Sequence, residues 1–506
     1  MNYNIICGRK QWENGNPAKQ HLLDKCSRWE YNRYGSNFYR KGLIFLSGLR
    51  NLPDYRLTRR DVGFFLSIML PALVEMLLSQ VFSMVDTIML GRMPDSAVVL
   101  AAVGITTSPI NLVVCVMTAF CIGTTATVAV FTGAGKNEQA RSASGQSLLL
   151  MAAAGIVVTV ICMVFAEPII RFSGAKDEIL PLAAAYYRLI SAGFFFQSIT
   201  ISITASLRGV GITKVPMLYN LLSALVNVIL NYIMIYGKLG CPAMGIHGAA
   251  LATTLSKLVA FGISVGMMFF GGLSVGFRRG ERFWLDLPIM KRILKIGITS
   301  GMEQVILQSG AVLSTKILAV IPTADFAAYQ IASSVEGIAW QPGSACCAAS
   351  TTCMGQAIGE GRPEKAHAMT KMIFLTALAM SGILVLVFLF CGYPLASVYT
   401  EDAAVAKTAA QILLYCAVAL PGVSTHQTIA GALRGAGDTR TPMIASLCSL
   451  WIFRVALSFL LVRVCGMGVL AMRVCISLDQ IVRASINLIR YLRGRWVQTS
   501  FASDHF

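Results

Sequence analysis

One segment of this 506-residue chain occurs twice. Ala-Ser-Leu-Arg-Gly-Val-Gly-Ile-Thr-Lys-Val-Pro-Met, from Ala205 to Met217, returns as Ala-Leu-Arg-Gly-Ala-Gly-Asp-Thr-Arg-Thr-Pro-Met at Ala432 to Met443. Arg208 and Arg434 lie 226 positions apart (434 − 208), and the same offset links Gly135 to Gly361, Ala140 to Ala366 and Pro168 to Pro394. A constant offset over such a length means two copies of one structural unit. In an apolar chain a doubled membrane unit suggests a carrier, because substrate sites in such proteins lie between repeats that rock against each other.

The chain is 56% hydrophobic and 13% charged, against about 25% charged in soluble domains. Apolar runs near 20 residues recur from residue 62 to residue 492, and each can cross a hydrocarbon core about 30 Å thick. Backbone groups in lipid must bond internally, so long unbroken runs mean helices. The expected fold is all-α and integral to the membrane. It has twelve transmembrane helices in two pseudo-symmetric six-helix lobes, at 62–90, 98–131, 143–166, 178–204, 215–237, 246–272, 291–320, 327–357, 369–391, 405–432, 441–464 and 467–492. The second span is over-long and holds Pro109 and Gly123, so a tilt or kink is expected there.

The net charge of +18 is distributed as a membrane topology signal, which argues against a nucleic-acid partner. Bases gather before the first span and after the second, fourth, sixth, eighth, tenth and last. Loops of the other parity carry acids such as Asp95, Asp177, Asp325 and Asp402. This bias places both termini in the cytoplasm of a multi-pass protein of the cell membrane. Arg463 and Arg473, at the outer end of the last hairpin, are exceptions. The division that follows is a polar cytoplasmic tail at 1–60, an N-lobe at 61–272, a cytoplasmic inter-lobe loop at 273–290, a C-lobe at 291–492 and a cytoplasmic tail at 493–506. The first 60 residues do not read as a signal peptide; a start codon assigned too far upstream accounts for them as well as a tail on anionic lipid does.

Fourteen cysteines fall mostly inside apolar runs, without a paired CxxC motif, and read as small hydrophobes. No phosphate-binding Gly-rich loop, Ser-His-Asp set or HExxH motif occurs. No cofactor and no enzymatic activity are expected.

The ionisable groups within the spans remain. An acid near a helix centre costs roughly 2.5–3.5 kcal/mol, so each needs a reason. Glu75 and Asp86 share one face of the first span at depths about 16 Å apart. Asn227 and Asn231 lie one turn apart on the fifth, at a depth matching Asp86. A carboxylate and two carboxamides there can hold a sodium ion, with Asp86 as the metal ligand, or a shared proton. The same amides also suit plain interhelical hydrogen bonding. Lys316 and Glu336 are expected to pair. Arg208 and Arg434 are expected to cap helix ends or meet neighbouring loops. Phe196, Gln197, Gln304, Gln308 and Gln427 are candidates for a cargo cavity.

Pro71 followed by Val85-Asp86-Thr87-Ile88-Met89-Leu90-Gly91 resembles the first helix of the MATE (multidrug and toxic compound extrusion) transporters. Leu207-Arg208-Gly209-x-Gly211-x-Thr213-Lys214-x-Pro216-Met217 and its echo at 433–443 resemble that family's turns. Gly133 to Asn137 and Gly359 to Pro363 fit too. The resemblance runs from about 62 to 492 and is of the DinF/NorM-like kind. It implies that Asp86 binds the coupling ion, that Asn227 and Asn231 complete the site, and that the first helix bends at Pro71. Glu303 resembles an acid of NorM-like members. The tenth-span aspartate of that branch has no match, which favours the first lobe as the ion site.

The expected function is antiport: export of cationic or aromatic small molecules in exchange for Na+ or H+, by alternating access in a monomer within the bilayer. A lipid-linked sugar or lipid flippase of related fold is the alternative. Its cavity should carry several bases, whereas the mid-span residues read as mostly neutral or acidic.

Overall fold

The computed structural model describes residues 55–93, 96–272, 274–276, 285–318, 321–400, 402–494 and 496–497. Of the expected tails, 1–54, 495 and 498–506 lie outside these, as does half of the expected loop, 273 and 277–284. The helices are α1 (Arg59–Gly91), α2 (Ser96–Gly133), α3 (Asn137–Val164), α4 (Ala166–Phe172), α5 (Leu180–Ser191), α6 (Phe194–Val210), α7 (Lys214–Tyr236) and α8 (Gly245–Phe270). The second half brings α9 (Leu287–Leu318), α10 (Thr323–Ala339), α11 (Gln341–Gly359), α12 (Pro363–Ser397), α13 (Ala403–Gly435), α14 (Arg440–Ser449) and α15 (Val469–Leu492). Between α14 and α15 the chain continues in π-helical turns, Leu450–Leu457 and Phe459–Val464. No strand occurs among the described residues.

Among the described residues, eight helices are long and apolar enough to cross a membrane, or nine if the bent pair α5 and α6 is one span. With its apolar faces turned outward, as in Ile156, Val157, Val160 and Val164 of α3, this is a multi-pass membrane protein. Several expected spans differ in detail. The run 178–204 divides into α5 and α6, bent by 43° at Ala192-Gly193. The run 327–357 breaks at Trp340, because Pro342 has no N–H for the helix. The runs 291–320 and 467–492 form α9 and α15, but both are polar: α9 holds Glu303, Gln304 and Gln308, and α15 holds Arg473, Asp479 and Arg483.

Local chemistry sets where α1 starts and how it tolerates a proline. Thr58 caps it, and Asp61 returns the bond to the Thr58 N–H at 2.9 Å, a capping box that begins the helix before residue 62. Pro71 lies inside a helix that runs on without a break. Its missing N–H frees the Ser67 carbonyl, and the Thr213 hydroxyl donates to that oxygen at 2.7 Å. Thr213 belongs to the duplicated segment.

The two halves of the chain meet where α2 packs against α9 and α11. Glycine permits the closest approach. A Cβ on Gly133 would stand 2.0 Å from the Gln356 carbonyl oxygen, and one on Gly359 would stand 2.1 Å from that of Val130. Both pairs keep the 226-residue offset (359 − 133 and 356 − 130), so the crossing is two-fold symmetric. Thr125 and Thr351 repeat it too, donating to the carbonyls of Ala205 and Gly431, each at 3.0 Å.

Candidate functional site

A cavity of about 580 Å³ opens between α1, α2, α6, α7 and α8, with Ser344, Cys347 and Arg434 from the second half at its edge. α6 presents Gln197, Thr200 and Thr204 to it, and α1 presents Glu75 and Asp86. Among the sequence candidates, Glu75, Asp86, Gln197 and Asn227 line this space.

Asp86 accepts from Asn231 Nδ2 at 2.8 Å. The Asn227 carboxamide faces the same carboxylate; with its nitrogen turned inward it donates to the two oxygens at 3.0 and 3.1 Å, and its oxygen accepts from the Thr253 N–H at 3.3 Å. No basic side chain pairs with Asp86 among the described residues. Asn231 is 2% exposed, yet its Oδ1 has no hydrogen-bond partner. An orphaned carboxamide oxygen beside a carboxylate is a donor set suited to a hard cation. Among the described residues no group of three His, Cys, Asp or Glu side chains gathers into a metal site, so any cation here would depend on amide and hydroxyl oxygens in addition to the Asp86 carboxylate.

The remaining acids are held by arginines, and the arginines are not helix caps. Arg208 Nη2 donates to both oxygens of Glu75 at 2.9 Å, and Asn220 adds a third bond at 2.8 Å. Arg434 Nη2 donates to Glu303 at 2.7 Å, with Ser446 at 3.1 Å. Asn220 and Ser446 are again 226 apart. The two sets are one polar device built twice. Glu336 is held by Arg473 through two bonds of 2.7 Å, which corrects the expected Lys316 pair. The physical reason is that α10 packs against α13 and α15, so its acid meets a base on α15. Arg473 is 2% exposed and therefore not a residue of the outer loop.

The other cavity candidates lie elsewhere. Phe196 packs on Phe195 and Phe261, Gln308 donates to Cys115 Sγ at 3.4 Å, Gln427 accepts from Ser344 at 2.9 Å, and Gln304 is half-buried on α9. None of the four lines the cavity. Pro71 is buried in the wall of α1. One functional candidate was missed by the sequence reading. Lys257 of α8 lines the cavity, although its charge in mid-span carries the same signal that marked Asp86. With Arg208 and Arg434 it brings three bases to a lining whose acids are Glu75 and Asp86, but both arginines are paired, with Glu75 and Glu303, so the cavity is of mixed charge rather than the expected neutral-to-acidic.

The MatE family model matches residues 71–233 and again 300–460, once on each half of the chain. A probable multidrug resistance protein NorM of Thermotoga maritima is 29% identical over 435 residues, covering 84% of this chain and 91% of that protein. The multidrug resistance protein PmpM of Pseudomonas aeruginosa is 26% identical over 399 residues, covering 78% and 82%. A multidrug resistance MATE transporter solved in an outward-facing conformation superposes with a TM-score of 0.79 at 23% identity, over 88% of this chain and 97% of that one. The duplicated match falls on the same halves that the repeated arginine devices define, and the chain belongs to the MATE family of transporters.

Proposed function

We propose that this protein is a secondary antiporter that exports cationic or aromatic small molecules in exchange for Na+ or H+, with Asp86 as the coupling group. The observation that carries the reading is Asp86 itself: a cavity-facing carboxylate held by carboxamide N–H groups and, among the described residues, by no base. An uncompensated charge is costly in a poorly hydrated space. A proton, a sodium ion or a cationic cargo would each relieve that cost, so they compete for one negative field. Competition becomes exchange when the vacant, charged site disfavours the crossing between inward- and outward-open states. Asp86, Asn227, Asn231 and Thr253 are the oxygen-bearing groups that would hold a sodium ion. The names of relatives such as NorM and PmpM support multidrug export as the activity.

In this reading 61–272 and 291–492 act as two six-helix lobes of a monomer in the cell membrane, with both termini cytoplasmic. The interlocked crossing of α2 and α11 is the pivot. Pro71 supplies a place where α1 can bend, since the Thr213 bond to Ser67 can break without breaking the helix ladder. The test is efflux of an aromatic cationic dye from proteoliposomes, driven by a sodium gradient in one arm and a proton gradient in the other. Uphill dye movement in at least one arm is expected. Dye movement that runs only downhill in both arms would overturn the antiport reading.

A further inference from the structure

A second cavity, of about 280 Å³, lies wholly within the second half of the chain, among α9, α10, the π-helical turn Leu450–Leu457 and α15. It shares no lining residue with the first cavity. Its size is near the lower end for small-molecule pockets, roughly 300–1,000 Å³. The charged residues that line it are Arg454, Arg473 and Glu336, a balance of +1 (2 − 1).

The acid in this cavity is already engaged. Glu336 accepts two bonds from Arg473 at 2.7 Å and one from Trp340 Nε1 at 3.4 Å. Arg454 forms no ion pair among the described residues. Its Nε donates to Ser314 Oγ at 3.1 Å, and its two Nη groups meet no protein acceptor among them. Arg473 Nε and both amide atoms of Gln480 are also without a hydrogen-bond partner, although Arg473 is 2% exposed and Gln480 0%. Buried polar groups are as a rule hydrogen-bonded, so such a cluster asks for a partner. The unmet set is rich in N–H donors, carries a net positive charge and includes one acceptor, Gln480 Oε1.

The first half has no such arrangement. At the 226-residue offset, Arg454 answers to Val228, and Asn227 and Asn231 answer to Phe453 and Leu457. After Glu303, α9 holds no acid, whereas α1 carries Asp86. The second half therefore lacks the carboxylate and the carboxamides of the Asp86 site and puts a base beside their place. Arg454 also stands in a π-helical turn, where Val228 stands in regular helix α7. Departures to π geometry are rare and frequent at functional sites.

We propose that this cavity is a second binding site, for a small monocarboxylate that carries a hydroxyl group. The carboxylate accepts from the Arg454 guanidinium and Arg473 Nε, which match it in charge and planarity. Gln480 Nε2 donates to it as well, and Gln480 Oε1 accepts from the ligand hydroxyl. The ligand ties α9, α10 and α15 together as a resident of the second half. It is not the cargo, and the site does not depend on the antiport reading.

The test uses three probes that differ by one group each: mandelate, phenylacetate (which lacks the hydroxyl) and mandelamide (which lacks the charge). Binding is measured by isothermal titration calorimetry on the full-length protein in detergent. The wild type should bind mandelate saturably, at least about tenfold tighter than mandelamide and about threefold or more tighter than phenylacetate. Arg454→Gln should bring mandelate and mandelamide within about twofold of each other, and Arg454→Lys should keep them apart, as expected of a charge contact. Gln480→Leu should erase the preference for mandelate over phenylacetate while mandelamide stays the weaker ligand. Only variants that elute as a monodisperse peak are titrated. No saturable mandelate binding to the wild type, equal binding of mandelate and mandelamide, or an Arg454→Gln protein that binds mandelate like the wild type would overturn the proposal.

Discussion

Arg208 clamps Glu75 through both carboxylate oxygens at 2.9 Å, and its counterpart Arg434 holds Glu303 at 2.7 Å. Both arginines reach the cavity, but the first pair is the more open, with side chains 19% and 11% exposed, and the second is more deeply buried, at 9% and 1%. The repeat therefore preserves a cross-helix tie while burying its second copy, and Glu303 above all, more deeply than its first.

That difference sets unequal costs. Breaking a buried pair leaves a bare charge and costs about 3–5 kcal/mol, whereas a partly solvated pair is screened and worth much less. Arg434→Met should lower the thermal unfolding midpoint in detergent far more than Arg208→Met. Adding Glu303→Gln to Arg434→Met should recover a large part of the loss.

Pro71 and Thr213 are coupled through the Ser67 carbonyl. Thr213→Val should cost about 1 kcal/mol, the net worth of one hydrogen bond. Pro71→Ala restores an N–H able to reach the same oxygen, so Thr213→Val should cost less in that background. A double-mutant cycle on unfolding midpoints checks the coupling.

The crossing of α2 and α11 leaves no room for a methyl group. Gly359→Ala places a Cβ 2.1 Å from Val130 O and 2.8 Å from Ala134 N, both backbone atoms. It should abolish a monodisperse peak in size-exclusion chromatography. Gly262→Ala, with nothing within 4 Å, should elute as wild type and gain slightly from helix propensity, by up to about 1 kcal/mol.

How far the sequence alone could reach is visible in particular residues. The 226-residue offset marked two copies of one unit, and the paired glycines and threonines of the crossing fall at that same spacing, because backbone contacts repeat when the unit repeats. Asp86, Asn227 and Asn231 came together because depth and helix face follow from spacing along two antiparallel helices. Partners across unlike helices did not follow. Glu336 meets Arg473 rather than Lys316 because neighbours in space here are not neighbours in order, and no periodicity encodes which helix packs on which. Lys257 was legible by the same mid-span charge that marks Asp86, but only the cavity wall shows what it faces. The break at Trp340 was legible from Pro342, while the π-helical turns after Ser449 have no signal in the sequence that we can name.

Asp86 is the point on which the account turns, and Asp86→Asn in proteoliposomes tests it most directly. The amide keeps the shape and can still bond Asn227 and Asn231, but it neither titrates nor attracts a cation. With equal incorporation of both proteins, the account predicts ion-driven dye efflux from wild-type vesicles and none above background from Asp86→Asn vesicles. Efflux by Asp86→Asn at the wild-type rate, under the same gradient, would contradict it.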